Sequence, residues 1–378
     1  MIEAHEFYWS GARGLQFSDD VSEDYKPDVV FYFMDKRIHK DVDVYSILKK
    51  QFSESILFGC SSSGPILYDD IYLGTFTGIA VTFEKTKMKT LEIPCPEQKC
   101  SYEAGKETVI KLKGRGLRHI FVIADGMTVN GAHFIKGANK VLPKGVSISG
   151  GLASDGFEFA ETLTGINKKP VSGQVCAIGF YGKDIEIGYG AQGGWDKFGL
   201  ERLVTKSEGN TLYELDGQPA LDLYKEYLGD AAENLPSSGL LFPLEIRKDQ
   251  DGEAMVRTIN AVDEINKSLR FTGDIPQGYI AQFMKGNFKN LAAGGAGAAT
   301  QAIEMMEGTA SFGLMVSCLG RQLLMGNQVS RELEAVMHVL ENMPTAGFYS
   351  NGEFSFDPGA LGILHNETMT LTVFKEKS

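Results

Sequence analysis

The sequence predicts an α/β fold of two halves, each built of mixed β-sheets flanked by helices, and three observations carry that expectation. The pattern G-x-x-S-x-G occurs at Gly59–Gly64, Gly151–Gly156 and Gly347–Gly352. Each copy lies between two apolar strand-like runs. Those before it are Phe31–Asp35, Phe121–Asp125 and Leu314–Cys318, and those after it are Ile79–Phe83, Cys176–Phe180 and Met369–Phe374. A helix-like stretch separates the first run from the glycines. Self-similarity of this kind marks one supersecondary unit used repeatedly: strand, helix, strand, glycine loop, strand. Short spacings between neighbouring runs also require antiparallel hairpins, which a purely parallel sheet lacks.

Residues 1–27 are mixed and polar and read as an N-terminal extension ahead of two domains, 28–218 and 219–378. Val29–Met34 is an uninterrupted apolar run, the pattern of a buried strand. Asp43–Phe52 carries Val44, Ile47, Leu48 and Phe52 at helical spacing. Ile56–Phe58 leads into the first glycine pattern. Thr77–Phe83 and Met88–Ile93 read as a strand pair joined by Glu84–Lys87, and Glu103–Lys113 as a helix. In the second unit His119–Ala124 is a strand, and Asn130 caps a helix through Val141 whose face is Phe134, Ile135, Ala138, Val141 and Leu142. Val146–Ser149, Thr162–Ile166, Val175–Phe180 and Ile185–Tyr189 follow as strands. Polar, turn-rich Lys206–Asn210 places the domain boundary between Trp195 and Leu221. Pro219–Leu228 then resumes as a helix. Strands are expected around Leu240–Ile246, Val256–Ile259, Leu269–Phe271 and Tyr279–Phe283. Leu291–Gly297 is glycine-rich but lacks the Lys-Ser/Thr ending of a phosphate loop, and it reads as a flexible turn before a helix at Thr300–Met306. Ser330 is the expected cap of the last helix, with Leu333, Val336, Met337 and Leu340 on one face.

Composition narrows the function. The formal charge of −12 argues against a nucleic-acid surface, which needs clustered Lys and Arg. No stretch approaches the ~20 apolar residues of a membrane helix, and Met1–Glu6 begins no secretory signal. Five cysteines at irregular spacing suit a reducing compartment. A cytoplasmic location is expected.

A run of motifs then supports a family resemblance. The first half carries Phe58-Gly59-Cys60-Ser61-Ser62-Ser63-Gly64 and Gly150-Gly151-Leu152-Ala153-Ser154-Asp155. The second carries Glu214–Ala220, Val316-Ser317-Cys318-Leu319-Gly320-Arg321, Gly347–Glu353 and His365-Asn366-Glu367-Thr368. Together they resemble the FIST family of sensory modules, over roughly residues 28 to 375. The resemblance implies a non-enzymatic protein that senses a small molecule, amino acids among the candidates. It also implies output through a separate partner: a histidine kinase, a cyclic-dinucleotide enzyme or a chemoreceptor. One branch of the family looks like haem-containing nitric-oxide sensors, which brings haem b into question as a cofactor.

Candidate ligand-binding residues fall in two groups. The glycine loops offer Cys60, Ser62, Ser63, Ser154 and Asp155, whose hydroxyls and neighbouring N–H groups could hold a carboxylate or carbonyl; serines bonding their own backbone are the alternative. The second group is Cys318, Arg321, Tyr349, Ser350, Glu353, His365 and Asn366. Arg321 offers a planar fork to a carboxylate and Glu353 could receive an amine, a set suited to an amino-acid-like ligand. An internal Arg–Glu ion pair is the alternative. If haem binds, His365 and His5 are the axial candidates, because only these two histidines have apolar or aromatic neighbourhoods. His133 and His338 point away from the apolar faces of their helices. Nucleophile chemistry at Cys60, Cys318 or Ser62 would need a His–Asp pair, for which there is no local signal. Cys95 and Cys100 lack the further ligands of a zinc site.

Overall fold

A strand apolar at every position is stable only when covered on both faces. In the computed structural model all seven residues of Val29–Asp35 are buried. The structure describes residues 1–377 apart from 23, 251–253, 342 and 357–360, and for 237 and 260 the backbone alone. Among the described residues the strands form four sheets, three of six strands and one of eight, with helices against them. The architecture is mixed α/β.

Each six-stranded sheet has a core of one parallel pair and one antiparallel neighbour. Val29–Asp35 runs parallel to Ile56–Ser62 and antiparallel to Phe76–Thr82. Leu117–Ala124 runs parallel to Ser147–Leu152 and antiparallel to Gln174–Tyr181. Phe312–Cys318 runs parallel to Thr345–Ser350 and antiparallel to Met369–Glu376. Helices make the parallel crossovers: Val44–Gln51, Gly131–Asn139, and Leu319–Met325 with Ser330–Leu340.

The first half of each glycine pattern is strand rather than loop. Gly59, Gly150 and Gly347 lie opposite Tyr32, Val122 and Met315 in the parallel pairs. A Cβ at these positions would meet the neighbour's carbonyl oxygen at 2.2, 1.8 and 2.1 Å, far inside van der Waals contact, so only glycine fits. The matching residue in the middle sheet is therefore Gly150, one before the residue that the sequence pattern aligns. Ala153 stands there where Ser62 and Ser350 stand in the other two.

After each glycine strand the chain crosses to a different sheet. Pro65–Leu67 pairs with Thr345–Ser350, Thr164–Ile166 with Ile56–Ser62, and Gly352–Phe356 with Ser147–Leu152, all antiparallel. The three sheets interlock, and one apolar core takes Phe31, Phe58, Phe121, Ile178, Val316, Phe348 and Phe374 from all of them. Residues 312–374 thus share a core with residues 29–180. The strand pair expected across Glu84–Lys87 is divided too: Phe76–Thr82 and Lys87–Pro94 lie in different sheets. The Glu376 carboxylate accepts the amides of Glu84, Lys85 and Thr86 at 3.0, 2.9 and 2.7 Å and so holds that crossing. Residues 3–10, read as extension, are the strand Glu3–Ser10 beside Phe76–Thr82.

The fourth sheet is an antiparallel insert that runs from Asp196–Glu208 to Ile280–Lys285. It has its own core, with Leu221, Tyr224 and Leu228 of helix Ala220–Leu228 against Leu244 and Phe283. The chain leaves the main body at Gly193-Gly194 and returns at Gly286.

Helix boundaries follow local chemistry. Asp43 and Asn130 accept the amides of Ser46 and His133 at 3.2 and 2.9 Å, as N-caps do. Ser330 is the first helical residue rather than the cap. The largest difference from expectation is at Leu291–Gly297, which is no turn but the middle of helix Phe288–Glu304. Packing overrides the low helix propensity of glycine. Gly188 and Gly190 face this helix so closely that a Cβ on either would lie 2.0 Å from the carbonyl oxygen of Ala302 or Ala298. Small residues on both elements permit that approach.

Candidate functional site

The three glycine strands end together, and their serines bind one another. The Ser62 hydroxyl donates to the Tyr349 carbonyl at 3.1 Å and accepts from the amides of Gly64 and Tyr349 at 3.0 and 3.1 Å. The Ser154 hydroxyl donates to the same Tyr349 carbonyl and accepts from the Ser63 amide at 2.8 Å. The Ser63 hydroxyl donates to Gln322 Oε1 at 2.6 Å. Asp155 accepts the amides of Phe159, Ala160 and Glu161 and shapes its own loop. These side chains knit the junction together, with the serine hydroxyls bonded within the protein as in the alternative reading.

Arg321 forms an internal ion pair, the alternative to a ligand contact, with Glu332 as its partner. Both residues are fully buried. Nε and Nη2 donate to Glu332 Oε1, Nη2 also to the Leu291 carbonyl, and Nη1 to the carbonyls of Gly193 and Glu367. All five N–H groups have acceptors, so no fork remains for a ligand. The hydroxyls of Tyr349 and Ser317 bind the other Glu332 oxygen at 3.2 Å each. Glu332 was missed from sequence because it sits on the buried face of a helix whose visible signal is apolar periodicity.

What remains beside this pair is a second buried acidic element. Glu353 and Glu367 are both fully buried. Ser350 donates to Glu353 Oε1 at 2.6 Å, and Thr258 of the insert donates to Glu367 Oε1 at 3.0 Å. Neither Glu353 Oε2 nor Glu367 Oε2 has a well-formed hydrogen bond among the described residues, although the Thr368 amide and the Cys318 thiol lie close enough to favour the ionised forms of Glu353 and Glu367 respectively. Burial pushes both carboxyl groups above the usual range, Glu367 to about 8, and Glu367 raises Glu353 further. The Glu367 carboxyl lies where Gly320 has no side chain: a Cβ there would come within 2.2 Å of Oε1. Burial, with the influence of both acids, pushes the Cys318 thiol well above its ordinary range.

The insert closes over this spot through one short segment. Thr272 donates to Asn366 Oδ1 at 2.8 Å, Trp195 Nε1 to the Glu367 carbonyl at 2.6 Å, and Arg257 Nη1 to the Leu364 carbonyl at 3.4 Å. Leu364–Glu367 thus carries one of the acids and receives the contacts of the insert. Glu367 belonged to the His365–Thr368 motif, yet nothing in that motif showed that its carboxyl turns inward.

The histidine and cysteine readings fare differently. Nδ1 of His5 binds Asp19 at 2.7 Å and Nε2 binds Glu3 at 3.0 Å, so neither nitrogen is available to iron. His119 is buried between the Ser147 and Ser149 hydroxyls. His365 lines an open groove of about 430 Å³ with Tyr189, Gln301, Glu304, Met305 and Phe356. Haem is held in an apolar slot with an axial imidazole. A groove bordered by Glu304 and Gln301 does not fit it, and neither does the engaged ring of His5. Burial pushes the Cys60 thiol well up, deep in the common core. The Cys60 and Cys318 thiols are therefore the opposite of activated nucleophiles, and the Ser62 hydroxyl is directed at a backbone carbonyl. Among the described residues no group of His, Cys, Asp and Glu could hold a metal ion, and no helix is long and apolar enough to cross a membrane.

Comparison with protein families agrees with the motifs. The FIST N domain matches residues 28–218, and the FIST C domain matches residues 220–355. No match was found among curated proteins. With both parts of the module matched in order, the chain belongs to the FIST family, whose domains are sensory modules.

Proposed function

We propose that this chain is a small-molecule sensor whose ligand binds at the seam between the insert and the ends of the glycine strands, and which reports to a separate output partner. The observation that carries the reading is the Glu353–Glu367 pair: two fully buried carboxyl groups, each with one oxygen that no described residue satisfies. Burying mutually repelling acids destabilises a fold, and groups held so far from their ordinary behaviour cluster at functional sites.

The three strand–helix–strand–glycine–strand units are, in this reading, copies of one unit. Their common pairing pattern and the equivalent glycines Gly59, Gly150 and Gly347 support it. Bringing three copies together gathers three strand ends at one point, and the insert covers it. A ligand reaches the acids only when the insert lifts. Gly193-Gly194 and Gly286 are the natural pivots, since those are the two places where the insert joins the body. Taking up the Glu367 carboxyl displaces Thr258, so binding and a change in the position of the insert become one event. The shift follows to the extent that the ligand prefers one arrangement. Family membership supports a partner such as a histidine kinase, a cyclic-dinucleotide enzyme or a chemoreceptor.

A thermal-shift screen of small metabolites, followed by hydrogen exchange with any hit, tests this. A stabilising compound that alters exchange at residues 258–272 and 364–368 is expected. A hit that alters exchange elsewhere and leaves these segments unchanged would overturn the placement. A screen with no hit, together with purified protein that retains no small mass, would overturn the sensor reading.

A further inference from the structure

The chemistry of the seam restricts the ligand further, and the argument rests on the sensor reading above. A ligand carboxylate needs a free cation or a set of free N–H donors. The five N–H groups of Arg321 are all taken up internally, and Glu332 neutralises its charge. The hydroxyls of Ser62, Ser63 and Ser154 are bound across the junction. The unsatisfied atoms of the acid pair are Glu353 Oε2 and Glu367 Oε2, and each becomes a pure acceptor when its carboxyl loses its proton. The Glu367 carboxyl packs directly on Gly320, where any side chain would collide with it. The acid pair is buried and forms no ion pair of its own among the described residues; the buried Arg257 guanidinium is engaged on the Leu364 carbonyl, three residues before Glu367.

We propose that the Glu353–Glu367 pair is the seat of an organic primary ammonium ion, a ligand that brings N–H donors and a positive charge and carries no carboxylate at this end. An ammonium group has three donors and no acceptor, the complement of what the pair presents. One carboxyl ionises and forms a charge-assisted hydrogen bond with the ammonium. The other stays protonated, because two carboxylates this deep would repel. Binding a cation therefore releases about one proton, and the seam stays electrically neutral. Other charged or titratable groups facing the pair are Arg321, held by Glu332, the Cys318 thiol and, beside Glu367, the Tyr224 phenol of the insert, with the buried Arg257 guanidinium on the neighbouring Leu364 carbonyl.

Isothermal titration calorimetry with the full chain tests this, using ethylammonium, tetramethylammonium and propionate at pH 7. Two buffers of different ionisation enthalpy report proton release. Ethylammonium should bind and release a proton, while tetramethylammonium, which has charge but no N–H, and propionate should not. Glu353→Gln and Glu367→Gln should each weaken ethylammonium at least tenfold. Glu103→Gln, on the surface, should leave the affinity unchanged, and unchanged melting curves at pH 5 would show that the variants fold. Equal binding of tetramethylammonium, or ethylammonium affinity unaltered in both seam variants, would overturn the proposal. Failure to bind ethylammonium would also overturn it. If the metabolite screen still yields a ligand that alters exchange at 258–272 and 364–368, only the ammonium assignment falls; if it yields none, the sensor reading falls as well.

Discussion

Replacing Glu367 with glutamine should make the ligand-free protein more stable, and the gain should depend on pH. In the unfolded chain the carboxyl titrates near the ordinary glutamate value of 4.5, whereas in the folded protein burial holds it at about 8. Between these values the unfolded state binds fewer protons than the folded state, so stability falls as pH rises. The stability associated with a neutral Glu367 is fully present below pH 4.5 and lost as pH climbs to about 8. One pKa unit is worth about 1.4 kcal/mol, which makes the full difference on the order of 5 kcal/mol. Glutamine keeps the shape and cannot ionise. Glu367→Gln should therefore match the parent protein near pH 4.5 and exceed it by roughly 3–5 kcal/mol at pH 8. Urea unfolding at half-unit pH steps, parent against variant, measures this directly. A difference that does not change with pH, or that grows toward acid, would refute the placement of Glu367 as a buried acid without a counter-charge.

The same logic applies to Glu6, which is buried, accepts the Thr345 amide at 2.6 Å and is raised to about 7. Glu6→Gln should remove a second loss of stability that is complete near pH 7, seen in the same titration. Glu332→Gln leaves the buried Arg321 without its counter-charge and should cost about 3–5 kcal/mol, against less than about 1 kcal/mol for Glu103→Gln in an exposed pair; urea midpoints distinguish them. Gly190→Ala puts a methyl group 2.0 Å from the Ala298 carbonyl oxygen. Helix Phe288–Glu304 must back away, at a cost of about 3 kcal/mol or more, read from the melting temperature.

Much of the secondary structure was legible because its causes are local. The run Val29–Asp35 and the spacing of Leu333, Val336, Met337 and Leu340 state their own burial, and Asp43 and Asn130 announce helix starts. The glycine-rich Leu291–Gly297 misled because its reason lies elsewhere in the chain, in strand Ile185–Gln192 with its own Gly188 and Gly190. The interlocking of three sheets was invisible for the same reason. Nothing near Pro65–Leu67 shows that its partner strand begins at Thr345. At the site, Ser350, Glu353 and Asn366 stood out by residue type and motif. Their neighbours Thr258 and Thr272 come from the insert, just outside its strands, and Glu332 hides on an apolar helix face. Residue type also made Arg321 look like a ligand-binding group. Only the fold shows that a glutamate eleven residues on and three backbone carbonyls, from Gly193, Leu291 and Glu367, occupy its donors.

The most direct test of a ligand seat at the seam is native mass spectrometry of the freshly purified chain beside the Glu353→Gln, Glu367→Gln double variant, with an absorption spectrum of each. The expected result is a colourless parent protein that retains a small basic mass, with that mass absent from the folded double variant. A small mass retained equally by both proteins, or a Soret band carried by the parent, would contradict it.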